Sequence, residues 1–164
     1  MKPWWIVLLV CLMAAGCDYS VPLATTPELD ADAQLVGVWA QTNEQKNVQQ
    51  LLVLPLDKRE LMIAFPAGSA DSMYARVVFL RRADMNLAQL EWIGSGKGRA
   101  DTRQVFQFAA CDVKADALTV RLLNPDVVSN TVTSARQLVR LIKANRSNPA
   151  LFRDAMNFRR IPAP

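Results

Sequence analysis

Residues 87–123 read LAQLEWIGSGKGRADTRQVFQFAACDVKADALTVRLL, and the pattern at both ends of this stretch decides the fold. Apolar and polar residues alternate there, which is typical of β-strands that bury one face and expose the other. A glycine-rich loop at 94–98 and a polar turn at 114–116 separate the strands. The alternation predicts that the first strand buries Ala88, Leu90 and Trp92 and that the last buries Leu118, Val120 and Leu122.

Similar runs continue on both sides of this stretch. They recur at intervals of about ten residues and are separated by short turns. Six or seven such strands favour an antiparallel meander that curls or closes into a barrel, because open sheet edges pair with other chains. The sequence therefore predicts a mainly β fold. The predicted strands cover residues 48–54, 61–65, 73–80, 87–93, 105–110 and 117–123.

The pattern changes after Pro125 to one of helical spacing. Ser134 is a typical N-cap residue, and the apolar residues after it recur three and four positions apart. We therefore expect a C-terminal amphipathic helix, a second helix start at Asn148-Pro149 and a short closing strand at 158–161. The apolar stripe of the first helix consists of Ala135, Leu138, Leu141 and Ile142.

The amino terminus has the anatomy of a signal peptide. Lys2 carries a positive charge, twelve apolar residues follow from Trp4 to Ala15, and Gly16 is a small residue at the cleavage position. As a helix the apolar run would be about 18 Å long, against a hydrocarbon core of about 30 Å, so it is too short for a permanent span. We therefore expect residues 1–16 to be a removable signal peptide.

The stretch Ala14-Ala15-Gly16-Cys17 resembles the lipobox of bacterial lipoproteins, whose cysteine is acylated. The resemblance implies that Cys17 carries two or three palmitate-like chains, which suffice for stable membrane attachment. Asp18 resembles the inner-membrane retention signal of enterobacterial lipoproteins, and the outer membrane stays the alternative. Residues 17–34 are rich in acidic residues and prolines, which predicts an acylated tether, and residues 35–164 form a single domain.

Composition excludes most familiar enzyme classes. The chain of 164 residues has no histidine, which excludes Ser-His-Asp triads, Cys-His pairs and the common zinc sites. The glycines at 94–98 lack the spacing of a phosphate-binding loop, and no pair of carboxylates stands out. Cys111 is left without an intramolecular partner, so it is a buried apolar residue or pairs with another molecule. We expect no enzymatic activity, no cofactor and no metal site.

Two features resemble known families. Gly37-Val38-Trp39 resembles the Gly-x-Trp signature of lipocalins and other calycins, in which an arginine near the last strand packs over the tryptophan. This resemblance implies a lipocalin-like barrel in which Arg159 or Arg160 covers Trp39. The back half is similar to a group of small uncharacterised bacterial lipoproteins, which implies location and fold but no activity. That similarity rests on Asn124-Pro125-Asp126, Arg136-Gln137-Leu138-Val139-Arg140, Asn148-Pro149-Ala150-Leu151-Phe152 and Phe158-Arg159-Arg160-Ile161.

The expected function depends on whether the barrel is filled or hollow. Barrels of about eight short strands are often filled by their own side chains, which favours a filled core. A hollow barrel would instead hold a ligand, so both alternatives stay open. The aromatic residues that can fill or line the interior are Trp39, Trp92, Phe65, Phe79, Phe106 and Phe108.

Basic charge is concentrated near the C-terminus. Residues 136–160 hold seven basic residues and one acidic residue, a net charge of +6, whereas residues 17–135 hold eleven basic and fourteen acidic residues, a net charge of −3. Arg136, Arg140 and Lys143 fall on the helix face opposite the apolar stripe.

Two functions are predicted from these features, in order of preference. The first is an interaction module on the periplasmic side of the cell envelope, whose basic helix face binds an envelope protein or anionic lipid. The alternative is a lipocalin-like binding protein for a small apolar or amphipathic ligand, in which the barrel itself is the site. Nucleic acid is not expected as a partner outside the cytoplasm.

Overall fold

The computed structural model describes residues 18–99 and 105–162 of the chain. The predicted strands are confirmed, most of them within two residues at each end. Nine strands lie in the described part: β1 Gly37–Thr42, β2 Val48–Pro55, β3 Glu60–Phe65, β4 Met73–Arg82, β5 Met85–Ser95, β6 Gly98–Arg99, β7 Phe106–Lys114, β8 Ala117–Leu123 and β9 Phe152–Ile161. One α-helix, α1 Ala135–Ala144, and two 3₁₀ turns, Ala33–Leu35 and Pro149–Leu151, complete the described elements.

Eight of the strands close into an antiparallel barrel. The order around the barrel is β4, β3, β2, β1, β9, β8, β7 and β5, and pairing between β4 and β5 closes it. The two-residue strand β6 folds back on the end of β5, so the glycine-rich loop forms a tight hairpin. The predicted mainly β fold with a lipocalin-like barrel is therefore confirmed.

Alternation along the strands produces two apolar cores, one on each side of the barrel wall. In β7, Ala109 points into the barrel, whereas its neighbour Phe108 points outward. The inner core contains Trp39, Leu61 and Phe158. The outer core is covered by α1 and by the segment that precedes β1, and it includes Tyr19, Leu80, Leu87, Phe108, Val128, Leu138, Ile142 and Leu151.

Residues 18–34, predicted as a tether, lie along the outer wall of the barrel. Tyr19 is fully buried and pairs with Phe106 through two backbone hydrogen bonds of 2.7 and 3.1 Å. Further along, the buried side chain of Gln89 accepts hydrogen bonds from the amides of Leu23 and Ala24 and donates one to the Ala24 carbonyl. These contacts leave no free spacer between residue 18 and the barrel.

Ion pairs hold the second half of this segment. The Arg82 guanidinium forms a two-pronged pair with Glu28, at 2.5 and 2.6 Å, and also donates to the Leu23 carbonyl. Asp30 contacts Lys58 in the turn between β2 and β3. The segment therefore crosses the outer wall from the start of β7 to the opposite end of the barrel, where the turn Ala33–Leu35 leads into β1.

The C-terminal region agrees with the predicted helix and differs from the prediction after it. Ser134 caps α1 by accepting a hydrogen bond from the Gln137 amide. Asn148 and Pro149 begin only one 3₁₀ turn, and the closing strand extends from Phe152 to Ile161, longer than the predicted 158–161. The longer strand forms because β9 must pair with β8 along most of its length to close the barrel.

Candidate functional site

One end of the barrel is closed by a tryptophan and an arginine. The guanidinium carbon of Arg160 lies 4.1 Å from the ring centre of Trp39, a cation–π contact with a fully buried indole. Arg160 also donates hydrogen bonds to the carbonyls of Val36, at 2.9 Å, and Gln34. The indole N–H donates to the Leu35 carbonyl at 2.8 Å. These contacts tie the last strand, the first strand and the 3₁₀ turn together.

Gly37 makes this arrangement sterically possible. Its φ of +136° lies in the region that favours glycine, and a Cβ there would lie 2.8 Å from the Nη1 atom of Arg160. Arg159 is exposed, so Arg160 is the arginine of the two candidates that covers Trp39. The glycine, the tryptophan and the arginine of the sequence signature therefore act as one unit.

Above this closed end the barrel is hollow. The cavity has a volume of about 350 Å³, within the range of about 300 to 1,000 Å³ that is usual for ligand pockets. The filled core favoured by the sequence analysis is therefore wrong. Seven of the eight barrel strands contribute to the lining, and β1 does not. The lining residues include Leu51, Val53, Leu61, Ile63, Phe65, Met73, Val77, Phe79, Leu90, Trp92, Leu118, Val120, Leu122, Met156 and Phe158.

Few polar groups face this apolar space. The indole N–H of Trp92 is buried and has no hydrogen-bond partner among the described residues. Gln107 also lines the cavity, and its amide nitrogen donates to the Asp18 carboxylate at 2.6 Å. Burial raises the pKa of Asp18, and the hydrogen bond from Gln107 opposes that shift. The cavity thus combines an apolar wall with one unused donor.

Cys111 is the third side chain of the lining, after Trp92 and Gln107, that carries a hydrogen-bond donor. Its accessible surface is large, yet desolvation raises the pKa of its thiol to about 11. The residue lines the cavity, and desolvation of the thiol there is the cause of its raised pKa. The thiol stays protonated at neutral pH and has no disulfide partner in the described part of the chain.

The aromatic residues singled out in the sequence divide into three groups. Trp92, Phe65 and Phe79 line the cavity. Trp39 belongs to the closed end. Phe106 and Phe108 lie outside the barrel, where Phe108 contacts Tyr19 ring to ring at 5.2 Å between centres. Strand alternation could assign each residue to a face, but the sequence did not reveal that the outer face is also covered.

The predicted basic face is present on α1. Arg136, Arg140 and Lys143 are exposed, while Leu138 and Ile142 on the opposite side are fully buried in the outer core. Within the described residues, none of the three basic side chains forms an ion pair. The face lies on the outside of the barrel, and its residues do not line the cavity.

The remaining site predictions concern lipidation, metal binding and the membrane. Cys17, the predicted lipidation site, lies outside the described residues. In the described ranges there is no group of three or more side chains of the metal-binding types, and no helix is long and apolar enough to cross a membrane. Comparisons with protein families, curated proteins and solved structures give no match for this chain. The cavity and the basic face are therefore the features from which function must be argued.

Proposed function

We propose that this chain is a lipid-anchored, lipocalin-like protein that binds a small apolar or amphipathic molecule inside its barrel. The observation that carries the proposal is the hollow interior of about 350 Å³ with an apolar lining. An interior that served stability alone would be packed, because empty space between apolar side chains loses contact energy. A cavity of this size is better explained by an occupant.

The few polar groups indicate which way the occupant lies. Gln107 and Trp92 are near the strand ends at the open end of the barrel, whereas Leu118 and Phe158 lie deeper. A molecule with an acceptor at one end can take the free indole N–H of Trp92 and place its apolar tail toward the closed end. Burial of roughly 200 Å² of tail contributes about 5 kcal/mol to binding, and a longer buried tail contributes proportionally more.

A fluorescent fatty acid tests this function. On titration into residues 18–164, we expect the emission to rise and to saturate at one molecule per chain, because one barrel has one mouth. Trp92 emission should fall in parallel through energy transfer to the bound probe. Absence of any saturable signal, at probe concentrations well above micromolar, would contradict the proposed function.

The location is part of the proposal. Export directed by the signal peptide at 1–16, followed by acylation of Cys17, would hold the barrel at the periplasmic face of a bacterial membrane. Asp18 supports the inner membrane, and the outer membrane stays the alternative. We propose no enzymatic activity, no cofactor and no nucleic-acid partner.

The basic face of α1 supports a second function, an interaction with an envelope protein or anionic lipid. The supporting observation is that Arg136, Arg140 and Lys143 are exposed and are not used in ion pairs with the rest of the described chain. Surface charges of this kind attract anionic partners at about 1 kcal/mol for each well-placed residue.

Reversal of the three charges tests this second function. Replacing Arg136, Arg140 and Lys143 by glutamate should abolish salt-sensitive binding to vesicles of phosphatidylglycerol and leave fatty-acid binding unchanged. As a control of equal charge, Lys114, Arg121 and Arg159 are exposed on β7, β8 and β9 and can be replaced by glutamate in the same way. Equal vesicle binding by the two triple variants would mean that the helix face has no specific role.

A further inference from the structure

The two ends of the barrel differ in chemistry. One end is closed by Leu35, Trp39 and Arg160. At the other end Met73 both lines the cavity and is 43% exposed, so this end holds the mouth. We call it the open rim. It is formed by strand ends at Thr42, Val48, Phe65, Met73, Ser95, Phe106, Leu123 and Phe152.

Exposed apolar side chains are concentrated at the open rim. Four of the six large apolar residues that are exposed in the described chain lie there, and only Leu54 and Leu56 lie near the closed end. Val48 begins β2, Met73 and Tyr74 begin β4, and Ile93 is two residues from the end of β5. Exposed apolar groups around the mouth of a cavity are typical of a surface that meets an apolar phase.

The described chain begins at the same rim, next to the proposed lipidation site. Tyr19 pairs with Phe106, the first residue of β7, and Asp18 bonds to Gln107, the second. Cys17 comes directly before Asp18, and one residue spans at most about 3.6 Å. Because residues 18–34 lie against the barrel wall, no length of chain separates the rim from the anchor.

From these observations we infer that the open rim lies against the lipid bilayer and that the cavity takes an acyl chain directly from it. This inference rests on the proposed function and adds the occupant and its source. Part of the charge at the rim is neutralised within the protein. Asp71 lies in the connection between β3 and β4, and Lys97 lies in the turn between β5 and β6. The two side chains neutralise each other in an ion pair of 2.5 Å. Burial also raises the pKa of Asp18, which lowers the cost of bringing that carboxyl to a membrane surface.

Brominated phosphatidylcholine provides the test, because bromine on the acyl chain quenches tryptophan only on close approach. After removal of residues 1–16 the protein contains two tryptophans, Trp39 at the closed end and Trp92 near the rim. We expect the acylated protein, reconstituted in phosphatidylcholine vesicles, to lose most of its Trp92 emission when the lipid is brominated. A Trp92→Phe variant, which reports Trp39 alone, should show a smaller loss because Trp39 lies at the end away from the mouth. The soluble form of residues 18–164, which lacks both the signal peptide and Cys17, should show no loss.

Two pairs of charge substitutions locate the contact. Replacing Tyr74 and Ile93 by glutamate should abolish the quenching, because charge at the rim resists contact with hydrocarbon. Leu54 and Leu56 are similarly exposed near the closed end. Replacing these two residues by glutamate should leave the quenching unchanged. Equal quenching in the two double variants would overturn the inference.

Titration with a fluorescent fatty acid in solution separates this inference from the proposed function. Saturable binding in solution without quenching of the anchored wild type would overturn the rim contact and leave the proposed function intact. Quenching of Trp92 by brominated lipid, without binding of the fatty acid in solution, would overturn the inference that the cavity takes up an acyl chain. Binding in solution that persists in the Tyr74 and Ile93 double variant, with quenching lost, is the result that supports the inference.

Discussion

Replacing Arg160 by alanine is expected to lower the free energy of unfolding by about 2–4 kcal/mol, because the change removes a cation–π contact with a buried indole and hydrogen bonds from a charged donor. The carbonyls of Val36 and Gln34 lose their charged donor, and the indole of Trp39 is uncovered. The closed end of the barrel would loosen, since Arg160 joins the first and last strands there. Thermal unfolding followed by circular dichroism measures the loss.

Arg159 is the matched control for this prediction. It is the preceding residue of the same strand and is exposed, so Arg159→Ala should change stability by no more than about 0.5 kcal/mol. In a Trp92→Phe background the emission of Trp39 should move to longer wavelength in Arg160→Ala and stay constant in Arg159→Ala. If the two arginine variants unfold at the same temperature, Arg160 does not close the barrel.

The second large effect is expected from filling the cavity. Cys111 and Val120 are direct partners in β7 and β8, and both face the hollow. Replacing both by phenylalanine should abolish fatty-acid binding, because two rings then occupy the space that an acyl chain needs. Stability should not fall, since the added atoms fill a void instead of crowding a packed core. The same fluorescent titration and a thermal melt measure both outcomes.

The neighbouring pair on the same two strands supplies the control. Asp112 and Thr119 are also direct partners, but they point outward. Phenylalanine at these two positions adds the same rings to the same strands and should leave the dissociation constant unchanged. A double variant at Cys111 and Val120 that still binds one fatty acid per chain would place the ligand outside the barrel.

Strand positions and the closed end were largely predictable from sequence. Alternation at 87–93 and 117–123 identified which side chains point inward, because the period of a strand fixes the face of each residue. The short signature at Gly37 and Trp39 also identified a partner arginine near the last strand. The choice between Arg159 and Arg160 required the register between β9 and β1, which depends on the closure of the whole barrel.

The packing of residues 18–34 was not predictable from composition. Acidic residues and prolines in this segment are typical of a tether, yet Tyr19 and Leu23 are buried and Leu29 pairs with Phe79. The sequence signal that was missed is the wide spacing of these apolar residues, which is typical of an extended segment that contacts a surface at intervals. Residues 18–34 pack against the outward face of β4, β5 and β7, and this face exists only once the barrel has formed.

Whether the barrel is hollow could not be decided from the alternation pattern. Inward residues are apolar in a filled barrel and in a hollow one, so the pattern is the same. The interior volume depends on how strands separated by many residues are staggered and tilted. Small inward side chains such as Ala88, Ala109 and Cys111 were visible in the sequence, but their positions next to one another in β5 and β7 became apparent only in the structure.

The most direct test of the central claim uses the methyl groups of methionine as reporters of the cavity. Residues 18–164 contain four methionines, of which Met73 and Met156 line the cavity, whereas Met62 and Met85 do not. In protein labelled with ¹³C at the methionine methyl groups, addition of one equivalent of a fatty acid should shift the Met73 and Met156 signals and leave the Met62 and Met85 signals in place. If the signals of Met73 and Met156 do not move, or if those of Met62 and Met85 move instead, the barrel does not hold the ligand.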